Sequence, residues 1–190
     1  MKEVSIKELK NAATRMRMNV VDMIYKAQSG HPGGSLSAAD FVTACYFKYM
    51  NLDPQNPRWP DRDRMVLSKG HVCPIQYACL AAAGFFPVSE LDTLRKEGSK
   101  LQGHPSMTKC PGIDISTGSL GQGLACAAGM AMAAKMDRKD YKVFCVVGDG
   151  EAQEGEIWEA ANTASKYRLD NLITFVDFNN LQLDGACDEI

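Results

Sequence analysis

Two apolar runs, each closed by a polar cluster, constrain this chain more than any other feature. Lys142-Val143-Phe144-Cys145-Val146-Val147 runs into Gly148-Asp149-Gly150-Glu151, and Leu172 to Phe178 runs into Asn179-Asn180. A helical pattern from about Glu154 to Tyr167 lies between them. Strand, helix, strand in that order is a parallel pair with a right-handed crossover. Both runs are nearly continuous, as expected of strands covered on both faces. The fold class that follows is α/β, a parallel sheet flanked by helices.

The rest of the chain fits that class. Ser5-x-x-Glu8 has capping-box form, and Ile6, Leu9, Ala13, Met16, Val20 and Ile24 recur at helical spacing. Gly30 and Pro32 end this first helix. Residues 29–35 read as a Gly-rich loop, and Ser37-x-x-Asp40 starts a second helix that reaches about Met50. Three prolines make residues 51–63 an irregular connection. Met65-Val66-Leu67 is a short strand, followed by helices at about 74–83 and from Ser89. Residues 98–118 form a long loop of the kind usually kept for function. Leu120 to Met136, with its small residues, reads as a buried helix that lets another backbone approach.

Ligands of open parallel sheets gather at the carboxyl ends of the strands. Here those ends offer an anionic oxygen at Asp149 and a neutral amide oxygen at Asn179. That pairing suits Mg²⁺ or Ca²⁺, with substrate phosphates completing the shell. Gly148 and Gly150 allow tight turning, and the N-terminal amides of the following helix favour an anion. Gly121-x-Gly123 lacks a third glycine at Cys126, and no G-x-x-x-x-G-K-[ST] run exists, so other phosphate motifs fail. All three histidines, His31, His71 and His104, lie in Gly- or Pro-flanked loops. Histidine suits proton transfers near neutral pH.

Other classes recede. A net charge of −2 argues against tracking nucleic acid. The longest apolar stretch, Leu124 to Ala134, is too short to span a bilayer, and the charged N-terminus is no secretory signal. Seven cysteines, odd in number and without a C-x-x-C pair, point to reduced thiols in a cytoplasm. Cys45, Cys126 and Cys145 read as small core residues.

Five ordered motifs resemble the N-terminal, diphosphate-binding domain of transketolase. Gly148-Asp149-Gly150, then 28 residues, then Asn179-Asn180 is similar to the thiamine diphosphate motif. Ser29-Gly30-His31-Pro32-Gly33, Leu67-Ser68-Lys69-Gly70-His71 and Gly103-His104-Pro105 resemble the three active-site loops of that family. Thr117-Gly118-Ser119-Leu120-Gly121-Gln122-Gly123 resembles its cofactor loop. The resemblance runs from about residue 10 to residue 185.

The resemblance implies the thiamine diphosphate-binding fold and assigns roles. Asp149, Asn179 and the carbonyl of Leu181 would bind Mg²⁺, with Ca²⁺ or Mn²⁺ as substitutes. Gly148 and Gly150 would meet the diphosphate, the latter through its amide. Gly118, Ser119, Leu120 and His71 would line the cofactor. His31, His71 and His104 would contact substrate hydroxyls and assist proton transfer, and Glu154 would help connect paired active sites. The implied activity is two-carbon ketol transfer between ketose and aldose phosphates, as in the pentose phosphate pathway.

The resembled family keeps its pyrimidine-ring carboxylate in a separate, later domain. The expectation is therefore a single diphosphate-binding domain over 1–190, incomplete at its C-terminus. It would act within an oligomer, with a C-terminal transketolase subunit carrying the pyrimidine-binding domain, as in split bacterial enzymes, or be a fragment of a longer chain. A split enzyme acting on another ketose phosphate or a sulfosugar is the alternative, as is a non-catalytic cofactor-binding assembly subunit. A histidine–metal hydrolase fits poorly, because positions 31, 71 and 104 form no compact ligand motif.

Overall fold

The computed structural model describes residues 3–182 and 185–190. The expected metal ligand Leu181 is within them, and the turn at Leu183-Asp184 is outside. The chain forms two compact units, one of residues 1–62 and 71–116, the other of residues 63–70 and 117–190.

The first unit is helical. Helix α1 (Ile6–Ala27) starts on the expected capping box, with Ser5 and Glu8 bonded reciprocally. Its buried stripe is Ala12, Ala13, Met16, Val20 and Met23, and Gln28 closes it in the left-handed region at φ 50°. Helices α2 (Pro32–Ser37) and α3 (Ala39–Ala44) follow, and a π-helical turn, Cys45–Tyr49, ends the run. The loop expected over 29–35 thus gives way to helix at Pro32. Proline at the first helical position forfeits only an amide that would lack a partner anyway. Helix α4 (Cys73–Ala83) is apolar nearly all round and buried from Cys73 through Ala81. It packs against α1 and α3 and stops at Gly84, at φ 94°.

The second unit holds the sheet. Strands β1 (Arg64–Leu67), β2 (Val143–Gly148) and β3 (Leu172–Asp177) lie parallel in the order β1-β2-β3. Helix α5 (Gln122–Met136) packs on β2, and α6 (Gly155–Lys166) packs on α5. Every residue of β2 is buried. The expectation of cover on both faces fails for β3, where Thr174 and Val176 are exposed. Among the described residues β3, like β1, is an edge strand, and beside β3 opens an apolar groove of about 630 Å³ lined by Leu124, Ile157, Trp158, Leu172 and Val176. Cys126 is likewise exposed on α5, unlike buried Cys45 and Cys145. The close backbone approach expected of α5 occurs at Gly123, where a Cβ would lie 2.4 Å from Ser68 Cα.

Candidate functional site

The register of the second unit builds the first group of candidates. Gly148 pairs with Asp177, so β2 and β3 end level with each other. Asp149 N donates to Asp177 O (3.3 Å), and Asp149 Oδ2 accepts from Asn180 N (2.8 Å). Asn179 Oδ1 accepts from Leu181 N (2.9 Å), and Asn180 takes a left-handed φ of 64°. Asp149 and the 179–181 turn are therefore held together. A carboxylate, an amide oxygen and a backbone carbonyl are the hard donors that Mg²⁺ or Ca²⁺ prefers. The donor set fits such an ion. Among the described residues no three His, Cys, Asp or Glu side chains gather as a cage for a metal.

The glycines play more than one part here. The Gly150 amide donates to Asp149 Oδ1 (2.9 Å), and a Cβ at 150 would lie 2.9 Å from Gln182 Oε1. A 3-10 turn, Gly150–Gln153, stands between Asp149 and α6, so that helix begins only at Gly155. Glu154 is exposed at the start of α6 and lies against Gly121, where a Cβ would come within 3.0 Å of its own. Gly118 is half-buried, and Ser119 and Leu120 are exposed. Beside them, Thr117 Oγ1 is buried without a hydrogen-bond partner among the described residues. A buried orphan hydroxyl next to the 118–120 loop is what a site awaiting a polar ligand would show.

Three buried charged residues in this unit were not singled out from sequence. Glu151 is 3% exposed, and its Oε1 accepts from the Ser68 hydroxyl and from Gly121 N (2.9 Å). Its Oε2 accepts from Gly148 N (3.0 Å). One carboxylate thus ties together the ends of β1 and β2 and the start of α5. Lys69 and Asp177 form a buried ion pair at 2.5 Å. A Cβ on Gly148 would lie 3.1 Å from Lys69 Cδ, so glycine there makes room for the lysine stem.

The first unit assembles the histidines. His31 precedes α2, and His71 lies in a 3-10 turn, Gly70–Val72, just before α4. Their rings meet edge to face with centroids 5.1 Å apart. Gly34 allows the approach, for a Cβ there would lie 2.7 Å from Val72 Cγ1 and 3.9 Å from His71 Nε2. The His104 carbonyl accepts from the Tyr77 hydroxyl (3.2 Å), which also bonds Gln102 O (2.9 Å). Burial, Arg95 and His104 together hold the His31 imidazole below its ordinary range. Arg95 is a further residue that sequence reasoning passed over. The histidines belong to the first unit and the Asp149 group to the second; the chain passes from one to the other between Gly70 and His71.

The family described as transketolase, thiamine diphosphate binding domain matches residues 8–190. The chain is 49% identical over 183 residues to the 6-deoxy-6-sulfo-D-fructose transketolase subunit SqwG of Clostridium sp. (strain MSTE9), covering 96% of this chain and 66% of that protein. It is 46% identical to an apulose-4-phosphate transketolase subunit of Phocaeicola vulgatus, covering 99% of this chain and 66% of that one. Human transketolase is 47% identical over 95% of the chain, which spans 29% of that enzyme. The crystal structure of transketolase from Campylobacter jejuni superposes with a TM-score of 0.92 at 37% identity, over 98% of this chain and 30% of that one. With the family model matching residues 8–190 and relatives aligned along nearly its whole length, the chain belongs to the transketolase family as its N-terminal thiamine diphosphate-binding domain.

Proposed function

We propose that this chain is the cofactor-binding subunit of a split transketolase, transferring a two-carbon ketol group between sugars that carry an anionic terminal group. The observation that carries the reading is the junction of Asp149 with the 179–181 turn at the level ends of β2 and β3. In this reading Asp149, Asn179 and the Leu181 carbonyl hold Mg²⁺, and through it the cofactor diphosphate. Gly148 and Gly150 leave no side chain between the turn and the diphosphate. Gly118, Ser119, Leu120 and His71 border the organic part. Thiamine diphosphate supplies the carbanion stabilisation that C–C cleavage requires. His31, His71 and His104 orient sugar hydroxyls and carry protons to and from them. Glu154, which is exposed at the start of α6, helps connect paired active sites in this reading. The partner is a subunit carrying the pyrimidine-binding domain. Ketose phosphates are the first donor class to assay. The names of the two split-subunit relatives make a sulfosugar and apulose 4-phosphate the next.

Calorimetric titration of the chain together with that partner tests the reading. Thiamine diphosphate should bind only when Mg²⁺ is present. Mutating the outer partners of a bound metal costs 10–100-fold in affinity, so Asp149→Ala, which removes a direct ligand, should weaken binding by about 100-fold or more. Unchanged binding in that variant contradicts the metal assignment. Tight cofactor binding without turnover of any ketose donor would instead identify a non-catalytic assembly subunit.

A further inference from the structure

Arg95 occupies a left-handed φ of 59°, a conformation that side chains larger than glycine rarely adopt. Its amide donates to Leu101 O (2.9 Å), closing the loop that leads to His104. Its guanidinium reaches three ways. Nη1 donates to Ser29 Oγ (2.8 Å), while Nη2 lies 3.5 Å from both His31 Nδ1 and the Gly103 carbonyl oxygen. A Cβ on Gly103 would sit 3.1 Å from the guanidinium carbon, so a side chain there would press on the guanidinium. One side chain therefore bridges the loop of His31 and the loop of His104.

The chemistry of that bridge decides a proton position. Guanidinium is always charged, offers five N–H donors and accepts nothing. It can bond Nδ1 of His31 only when that nitrogen carries no proton. We propose that Arg95 is a positioning residue that fixes His31 as the neutral tautomer protonated at Nε2, ready to donate a hydrogen bond. Among the described residues, the His71 ring meets His31 edge to face and His104 acts on its charge, and neither is an anion that would draw the proton back to Nδ1. That the donated bond goes to a sugar oxygen rests on the proposed transketolase reading; the tautomer itself does not.

Histidine-selective ¹⁵N labelling of the full chain, read by two-bond ¹H–¹⁵N correlation across pH, tests this. His31 signals are identified by their loss in His31→Asn. The wild type and Arg95→Lys should show the proton on Nε2. Arg95→Glu replaces a donor with an acceptor, so the proton should move to Nδ1 and the titration midpoint should rise. Arg95→Gly suits the left-handed backbone and should keep or raise the thermal midpoint, yet still lift the His31 midpoint by about half a pH unit or more. A purely structural arginine would leave that midpoint alone. A proton on Nδ1 in the wild type, or an identical His31 spectrum in Arg95→Glu and Arg95→Gly, overturns the proposal. The measurement uses the chain without cofactor or partner, so its outcome is separate from the thiamine diphosphate titration.

Discussion

Glu151 shows how a single residue can order three segments at once. Hydrogen bonds to a buried charged group are worth about 1.5–3 kcal/mol each, and an unsatisfied donor left behind costs a similar amount. In Glu151→Gln the new NH₂ faces either Gly148 N–H or the Ser68 and Gly121 donors, so one side of the node becomes donor against donor. The variant should lose about 2 kcal/mol in urea unfolding, and an unchanged midpoint would remove the node from the account of this site. Asp149, Asn179 and the histidines were legible in the sequence because each sits in a short polar segment that interrupts an apolar pattern. Glu151, Lys69 and Arg95 were not. Their partners lie far along the chain, 83 residues for Glu151 with Ser68 and 108 for Lys69 with Asp177. Charges among glycines read as solvated until folding supplies those partners.

Among the elements, α5 offers a paired test of close approach. Alanine is normally better than glycine inside a helix by about 1 kcal/mol. At Gly129 nothing lies within 4 Å of a Cβ, so Gly129→Ala should raise the thermal midpoint. At Gly123 the new methyl would strike the backbone at Ser68, and overpacking of this kind costs about 1–3 kcal/mol. Gly123→Ala should therefore lower the midpoint, and calorimetry in which both variants shift the same way would refute this account. The capping box of α1 and the run of β2 were readable because local chemistry dictates them. The exposure of β3 was not, since Leu172 to Val176 is apolar or β-branched throughout and only the strand order reveals an edge. Helix α2 was hidden for a different reason, because Pro32, Gly33 and Gly34 read as a loop when no packing partner is known.

Across the whole molecule the chain passes between its two units at residues 62–63, 70–71 and 116–117. The second and third of these crossings fall inside or beside recognised motifs, Leu67 to His71 and Thr117 to Gly123. Among the described residues no helix is long and apolar enough to cross a membrane. All seven cysteines are free, and burial pushes the thiols of Cys45, Cys73, Cys79 and Cys110 up to about 12 and raises that of Cys145. A thiol reagent applied to the native chain should count Cys126 at once and Cys187 more slowly, with the other five appearing only on unfolding. Fast reaction of more than two thiols would contradict the packing. The carboxylates of the second unit also set what can enter its glycine turns. The amides of Gly121, Gly148 and Gly150 each already donate to Glu151 or Asp149, so the glycines surround negative oxygen where comparable loops grip a bare anion. Free phosphate or sulfate would meet like charge there. On the proposed reading, a diphosphate escorted by a divalent cation would meet attraction instead, and the loop would favour the ion pair over the naked ion.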